Sequence, residues 1–294
     1  LTKEYYTYKI VDIIDVRWGN MRKIGYLGPA GTFSEQAALL YVQKCPGELI
    51  PYSDVPELIM AVQNGALHGA VVPIENVLEG TVNITIDTLA HEADLKITAE
   101  QVLAVHQCLI AQDGVDKSEV KEIVSHPQAL AQCRHFLHAH FPGVPVRAVN
   151  STAAGAMEVK NSSLPIAAIA NRRAAEIFGL NILMENIEDI SNNCTRFVVL
   201  SHEDVPPTGR DKTSIVFSVS DKPGSLLKAL SIFADLGINL TKIESRPMRT
   251  QLGEYLFFVD FEGHARDETA ARALDALKAM STYFKHLGSY PRSE

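Results

Sequence analysis

The sequence predicts an α/β protein of two lobes around a cleft, followed by a smaller α+β module. Three observations carry that prediction. Short apolar runs alternate with helical stretches from Arg22 onward, the pattern of a mainly parallel sheet with helices on both faces. One long β-rich stretch, "LKITAEQVLAVHQCLIAQ" from Leu95, interrupts the rhythm before a second set of strand–helix units begins. After "HEDVPPTGRDK", whose prolines, glycine and charges read as a linker, the order becomes βαββαβ, as in ferredoxin-like folds.

In the first lobe "KIGYL" is a strand and Thr32 to Lys44 a helix. Thr32 and Glu35 stand in T-x-x-E spacing, so a capping box can satisfy two N–H groups at the helix start. "ELIPY" is a second strand. Asp54 caps a helix from Val55 to Asn64, which Gly65 ends. "GAVVPIE" is a buried strand by its unbroken apolar run, and Thr81 to His91 a helix. The second set comprises strands "EIVSH", "VPVRAV", "PIAAIA" and "NILMEN". Its helices run from Pro127 to Phe141, Thr152 to Lys160, and Asn171 to Phe178, where Gly179 stops the last. "TRFVVLS" then returns as a strand. The final module has strands "TSIVFSVS", "INLTKIESRPM", "EYLFFVDFEG" and "YFKHLGSY", with helices from Gly224 to Leu236 and Asp267 to Met280; a short turn around Gly253 joins its middle strands. The expected boundaries are an N-terminal extension at 1–21, a two-lobed region at 22–200, a linker at 201–211 and the α+β module at 212–294. Lobe 1 is expected at about 22–100 plus 195–200, and lobe 2 at about 101–194.

Composition narrows the function. The net charge of -8 argues against a nucleic-acid surface, which needs a basic face. No apolar run approaches the roughly 20 residues of a membrane-spanning helix. The first twenty residues carry acids inside their apolar stretch and do not read as a signal peptide. Cys45, Cys108, Cys133 and Cys194 are scattered without a C-x-x-C pair, which fits reduced thiols in a cytoplasmic protein.

Four stretches hold candidate chemistry. "GYLGPAGTFSEQAA" places a Gly-rich bend before a helix N-terminus, where backbone N–H groups face an anion or simply make a tight turn. "VVPIENVLEGTVN" ends a strand in Glu75 and Asn76, as cleft groups or as capping groups. "SHPQALAQC" places Ser125 and His126 at a strand end, either of them a helix cap, with Gln128 and Gln132 one turn apart. "NNCTRF" puts Thr195 and Arg196 at the start of the returning strand. Arg196 suits a substrate carboxylate or an internal acid. His135, His138 and His140 in "HFLHAH" lack an acid at ligand spacing and read as a solvated helix face; no metal site is expected.

Together, in this order and spacing, and with the later "DKPGSLLKAL" and "INLTKIESRP", these stretches resemble the prephenate dehydratases. The match covers nearly all of the chain after Met21. The resemblance implies a catalytic region like the periplasmic binding proteins, then a regulatory ACT domain. It implies conversion of prephenate to phenylpyruvate, water and carbon dioxide in phenylalanine biosynthesis, without metal or organic cofactor. Bifunctional relatives carry a helical chorismate mutase, for which twenty residues are too few, so a monofunctional chain is expected. Carried over residue by residue, Thr195 is the hydrogen-bond donor to the leaving hydroxyl. Asn76, Ser125 and Gln132 orient the carboxylate and hydroxyl groups. Arg196, Thr32, Gly31 and Glu75 belong to the substrate site, with Glu75 orienting a neighbour. The family often has serine after the Glu-Asn pair, where this chain has Val77.

The ACT motifs imply phenylalanine as effector, held by Gly224, Ser225, Leu226, Asn239, Leu240, Glu244 and Ser245, and a homodimer or homotetramer. Two other functions stay open at this stage. Arogenate dehydratase runs the same elimination on the amino analogue. A non-catalytic amino-acid sensor would combine a solute-binding fold with an ACT domain.

Overall fold

The computed structural model describes residues 21–248 and 254–293. The N-terminal extension and the expected turn around Gly253 lie outside the described residues.

The chain first lays down β1 (Lys23–Leu27), α1 (Phe33–Lys44), β2 (Glu48–Tyr52), α2 (Val55–Gln63), β3 (Gly69–Asn76), the short β4 (Gly80–Thr81), α3 (Asn83–His91) and β5 (Lys96–Ala104). It then crosses to β6 (Cys108–Ala111), β7 (Glu122–Ser125), α4 (Pro127–Gln132), α5 (Arg134–His140), β8 (Val146–Ala148), α6 (Thr152–Asn161), β9 (Ile166–Ala170), α7 (Arg172–Phe178) and β10 (Asn181–Met184). β11 (Cys194–Ser201) returns to the first sheet, giving the order β2-β1-β3-β11-β5 with β4 beside β3. The second sheet runs β10-β6-β9-β7-β8. These are two α/β lobes joined by two crossings, the arrangement of the periplasmic binding proteins.

Local chemistry explains the helix starts. Thr32, Asp54, Ser151 and Asn171 each accept a backbone N–H three residues ahead at the head of a helix. Three expectations need correction. β5 stays in the first sheet to Ala104, so the crossing falls at 105–107 rather than near residue 100. The single helix expected over 127–141 is two helices, broken at Cys133. Gly80 and Thr81 pair with β3, which delays the next helix to Asn83.

The last module contains β12 (Asp211–Ser218), α8 (Ser225–Asp235), β13 (Leu240–Pro247), β14 (Tyr255–Glu262), α9 (Glu268–Met280) and β15 (Tyr283–Pro291). Its antiparallel order β13-β14-β12-β15 is the ferredoxin-like one. α8 and α9 cover one face, around Phe217, Phe233 and Phe261. The other face packs on lobe 1. Val216, Phe258, Leu287 and Tyr290 share one core with Ile97, Val198 and Leu200. The contact is close: a Cβ on Gly288, whose φ is +138°, would stand 2.3 Å from the Ile97 carbonyl oxygen. No described helix is long and apolar enough to cross a membrane.

Candidate active site

The cleft between the lobes has a volume of about 580 Å³. Loops at the carboxyl ends of the strands line it, where ligands of open α/β sheets bind. Lobe 1 contributes the β1–α1 turn, Asn76 and the β4 hairpin. Lobe 2 contributes the starts of α4 and α6, and the crossing adds Val105 and Gln107. Thr195 and Phe197 close it from β11.

At its centre Thr195 stands directly opposite Asn76 in the antiparallel ladder. The Asn76 Oδ1 accepts the backbone N–H groups of Leu78 and Glu79, both at 3.0 Å. Two N–H donors identify that atom as oxygen, so the other end of the amide is the NH2 group. Nδ2 donates to Thr195 Oγ1 at 2.8 Å and to Asn193 Oδ1 at 2.9 Å. An amide nitrogen only donates, so the Thr195 oxygen accepts here and its own hydrogen is left for another acceptor. Among the described residues it has none.

Gln132 lines the cleft and accepts from Gln107 Nε2 at 3.3 Å. Ser125 does not join them. It is fully buried, and its hydroxyl donates to the Ile169 carbonyl at 2.6 Å. Its proton is committed inside the second sheet, which corrects the expectation that it faces substrate. The helix cap after it is His126, whose Nδ1 accepts from the Gln128 N–H at 3.3 Å.

Arg196 and Glu75 also leave the expected set. The ladder skips Ile74 between the pairs Arg196–Glu75 and Phe197–Pro73. This bulge, beside a proline, aims Asn76 at Thr195 and turns Glu75 toward the ACT domain. There Glu75 meets Arg196 at 3.2 Å and Lys242 at 2.9 Å. Arg196 is buried and also meets Glu100 at 3.3 Å and Asp260 at 2.7 Å. The Asp260 contact is an ion pair whose angles depart from hydrogen-bond geometry. Burial by itself would lower the Arg196 pKa, but Asp260 and the other surrounding groups raise it instead. A guanidinium so enclosed does not reach a ligand in the cleft.

The opening turn is occupied too. Gly28 N–H donates to the Tyr52 carbonyl, and Gly31 N–H to the Glu35 carboxylate at 2.7 Å. The Glu35 carboxylate thus reaches Gly31 instead of closing a box on Thr32. Thr32 Oγ1 donates to the Leu27 carbonyl while capping Glu35 N–H. Gly31 is glycine for a local reason, its φ of +89°; a Cβ there would make only ordinary contact with Ala174 and Ala153 of lobe 2 at 3.4–3.5 Å. Val77 is exposed and does not line the cleft, so the missing serine removes nothing from this site.

Sequence reasoning missed Ser34, Thr81, Gln107, Asn193 and the Asn150–Thr152 loop. The signal for that loop was present: "NST" follows a strand and opens a helix, as "GTF" does in lobe 1. Asn193 lies inside "NNCTRF", two residues before Thr195, but only the return of β11 brings it to Asn76. Glu79 lines the cleft, but among the described residues no lysine or arginine does. Among the described residues, no cluster of three His, Cys, Asp or Glu is grouped to hold a metal ion.

The expected effector residues divide between elements. Gly224, at φ +82°, precedes Ser225 and Leu226 at the start of α8. Asn239 lies just before β13, and its carbonyl accepts the Glu262 N–H. Leu240 starts β13 and packs on the helix-side core. Ser245 is exposed, while Glu244 turns inward and accepts from Thr81 Oγ1 at 3.2 Å. Glu244 therefore touches the catalytic lobe.

Comparison with known proteins agrees with the two-lobed region followed by an α+β module. The family model described as prephenate dehydratase matches residues 24–205, and that of the ACT domain residues 213–279. The chain is 43% identical over 272 residues to a bifunctional chorismate mutase/prephenate dehydratase of Aquifex aeolicus, covering 92% of this chain and 74% of that one. It is 42% identical over 276 residues to a prephenate dehydratase of Lactococcus lactis, covering 91% and 97%. The crystal structure of prephenate dehydratase from Arthrobacter aurescens in complex with L-Phe superposes with a TM-score of 0.85 at 38% identity, covering 92% and 90%. The chain belongs to the prephenate dehydratase family.

Proposed function

We propose that this chain carries out the decarboxylating dehydration of prephenate with Thr195 as the donor to the departing hydroxyl, and that phenylalanine regulates it through the ACT domain. The observation that carries the reading is the fixed Asn76–Thr195 pair, which leaves one hydroxyl proton unassigned in a cleft of ligand size.

The reaction needs little more. As the bond from ring to carboxylate breaks, its electron pair enters the ring and expels hydroxide from the opposite carbon. Carbon dioxide leaves, the ring becomes aromatic, and phenylpyruvate keeps the side-chain carboxylate. The hydroxide takes up one proton from the medium and leaves as water, so dianion plus one proton gives the phenylpyruvate monoanion, carbon dioxide and water. Charge develops on the leaving oxygen, so a donor fixed there stabilises the transition state more than the ground state. Threonine is too weak an acid to ionise. Its part is a hydrogen bond, held in direction by Asn76, while Gln132 orients the substrate.

Incubation with prephenate and with arogenate, followed by detection of phenylpyruvate or phenylalanine, tests the reaction. Prephenate should be consumed, and Thr195→Ala should lower kcat by about a hundredfold or more with a modest change in KM. Undiminished turnover would remove Thr195 from the chemistry.

The four cysteines are free thiols, which supports a reducing cytoplasmic setting. A homodimer or homotetramer paired through ACT domains is the assembly we expect, and sedimentation analysis reads it directly.

A further inference from the structure

The cleft poses a charge problem. Its ligand carries two carboxylates, yet among the described residues the lining has Glu79 and no lysine or arginine. Helix N-termini and neutral donors must hold the charge. At the head of α1, Gly31 N–H, Glu35 N–H and the Thr32 hydroxyl all have partners within the protein. Phe33 N–H and Ser34 N–H have none among the described residues. Ser34 lines the cleft and is only 7% exposed, yet its hydroxyl makes no hydrogen bond to any described residue. This oxygen is not sealed within the protein, so a ligand atom can reach it.

We infer that Ser34 Oγ, with the N–H groups of Phe33 and Ser34, forms the subsite for the carboxylate that prephenate retains in its product. The choice between the two carboxylates rests on the proposed reaction. The ring carboxylate must surrender its negative charge to leave as carbon dioxide. Donors and a helix dipole aimed at it would hold that charge in place and raise the barrier. The side-chain carboxylate stays ionised from substrate to product. A clamp on it binds without opposing the chemistry, so the α1 terminus is an anchor, with Ser34 a binding residue for substrate and product alike.

The test compares Ser34→Ala and Ser34→Cys with the unmodified protein. Cysteine keeps nearly the same volume with a weak donor, so the pair separates lost bonding from lost packing. In both variants KM for prephenate should rise about tenfold, the size of one hydrogen bond to a charged group, with kcat within about threefold. The Kd of phenylpyruvate, read by calorimetry, should rise by the same factor. An unchanged KM and Kd overturn the subsite. A raised KM with unchanged phenylpyruvate binding also overturns it, because Ser34 would then hold the departing carboxylate. Failure of the unmodified protein to consume prephenate would sink the reaction instead, and phenylpyruvate binding would still read the anchor.

Discussion

Thr195 and Asn76 show how a weak donor is given direction. The turn at Leu78 and Glu79 fixes the Asn76 carbonyl, so its NH2 must face Thr195, and Thr195 must turn its proton away. Asn76→Asp preserves the shape of the pair and reverses its logic. An ionised carboxylate beside Oγ1 accepts the threonine proton and withdraws it from the cleft. We expect Asn76→Asp to lower kcat about as much as Thr195→Ala. The double variant should be little worse than either, because residues acting as one unit are not additive. Multiplicative losses would show that Asn76 acts on the substrate by itself.

At the scale of strands and helices, much was legible because caps and apolar runs are local. Thr32, Asp54, Ser151 and Asn171 start their helices as their side chains dictate. The bulge at Ile74 was not legible, and it decides which of Glu75 and Asn76 meets the cleft. Ser125 misled for a related reason: its partner, the Ile169 carbonyl, belongs to a strand forty-four positions away. A single element also carries a pH response. His286 of β15 is half-buried; that burial, with Lys96 as a further opposing charge, lowers its pKa from 6.5 to about 4. Lys96 donates to the carbonyl of the same residue, and Ser289 Oγ lies 3.3 Å from Nε2. Asp204 pulls the other way and His264 adds to the lowering. Above the ordinary value both folded and unfolded chains are neutral here. As pH falls through the window from 6.5 to about 4, the unfolded chain takes up a proton that the folded chain excludes, so stability declines. His286→Gln should therefore shrink the difference in unfolding free energy between about pH 7 and about pH 4.5, read by urea titration. An undiminished difference would assign the acid sensitivity to other groups.

Across the whole molecule, the same ladder that builds the Asn76–Thr195 pair builds the contact with the ACT domain. Thr195 and Asn76 face the cleft, while their neighbours Arg196 and Glu75 face the ACT sheet. β13, the strand bearing Glu244 and Ser245 of the expected effector site, reaches into that contact. Lys242 Nζ donates to Glu75 at 2.9 Å and to Thr81 Oγ1 at 2.8 Å, and Thr81 lines the cleft. Arg246 holds Asp87 of α3 through two nitrogens. An effector that shifts β13 thus has a short mechanical path to the substrate site, through side chains one residue removed from Asn76. Regulation requires phenylalanine to bind one arrangement of these contacts better than the other, and couplings of this kind are typically about 1–3 kcal/mol. Lys242→Met removes the two bonds while keeping the length of the side chain. Phenylalanine should still bind, and turnover without it should stay within about threefold. The factor by which phenylalanine changes prephenate KM should fall at least about threefold toward unity. The reciprocal factor, prephenate's effect on phenylalanine affinity, should fall equally. If both factors survive the substitution unchanged, the signal travels by another route, and the Arg246–Asp87 pair is the next contact to break.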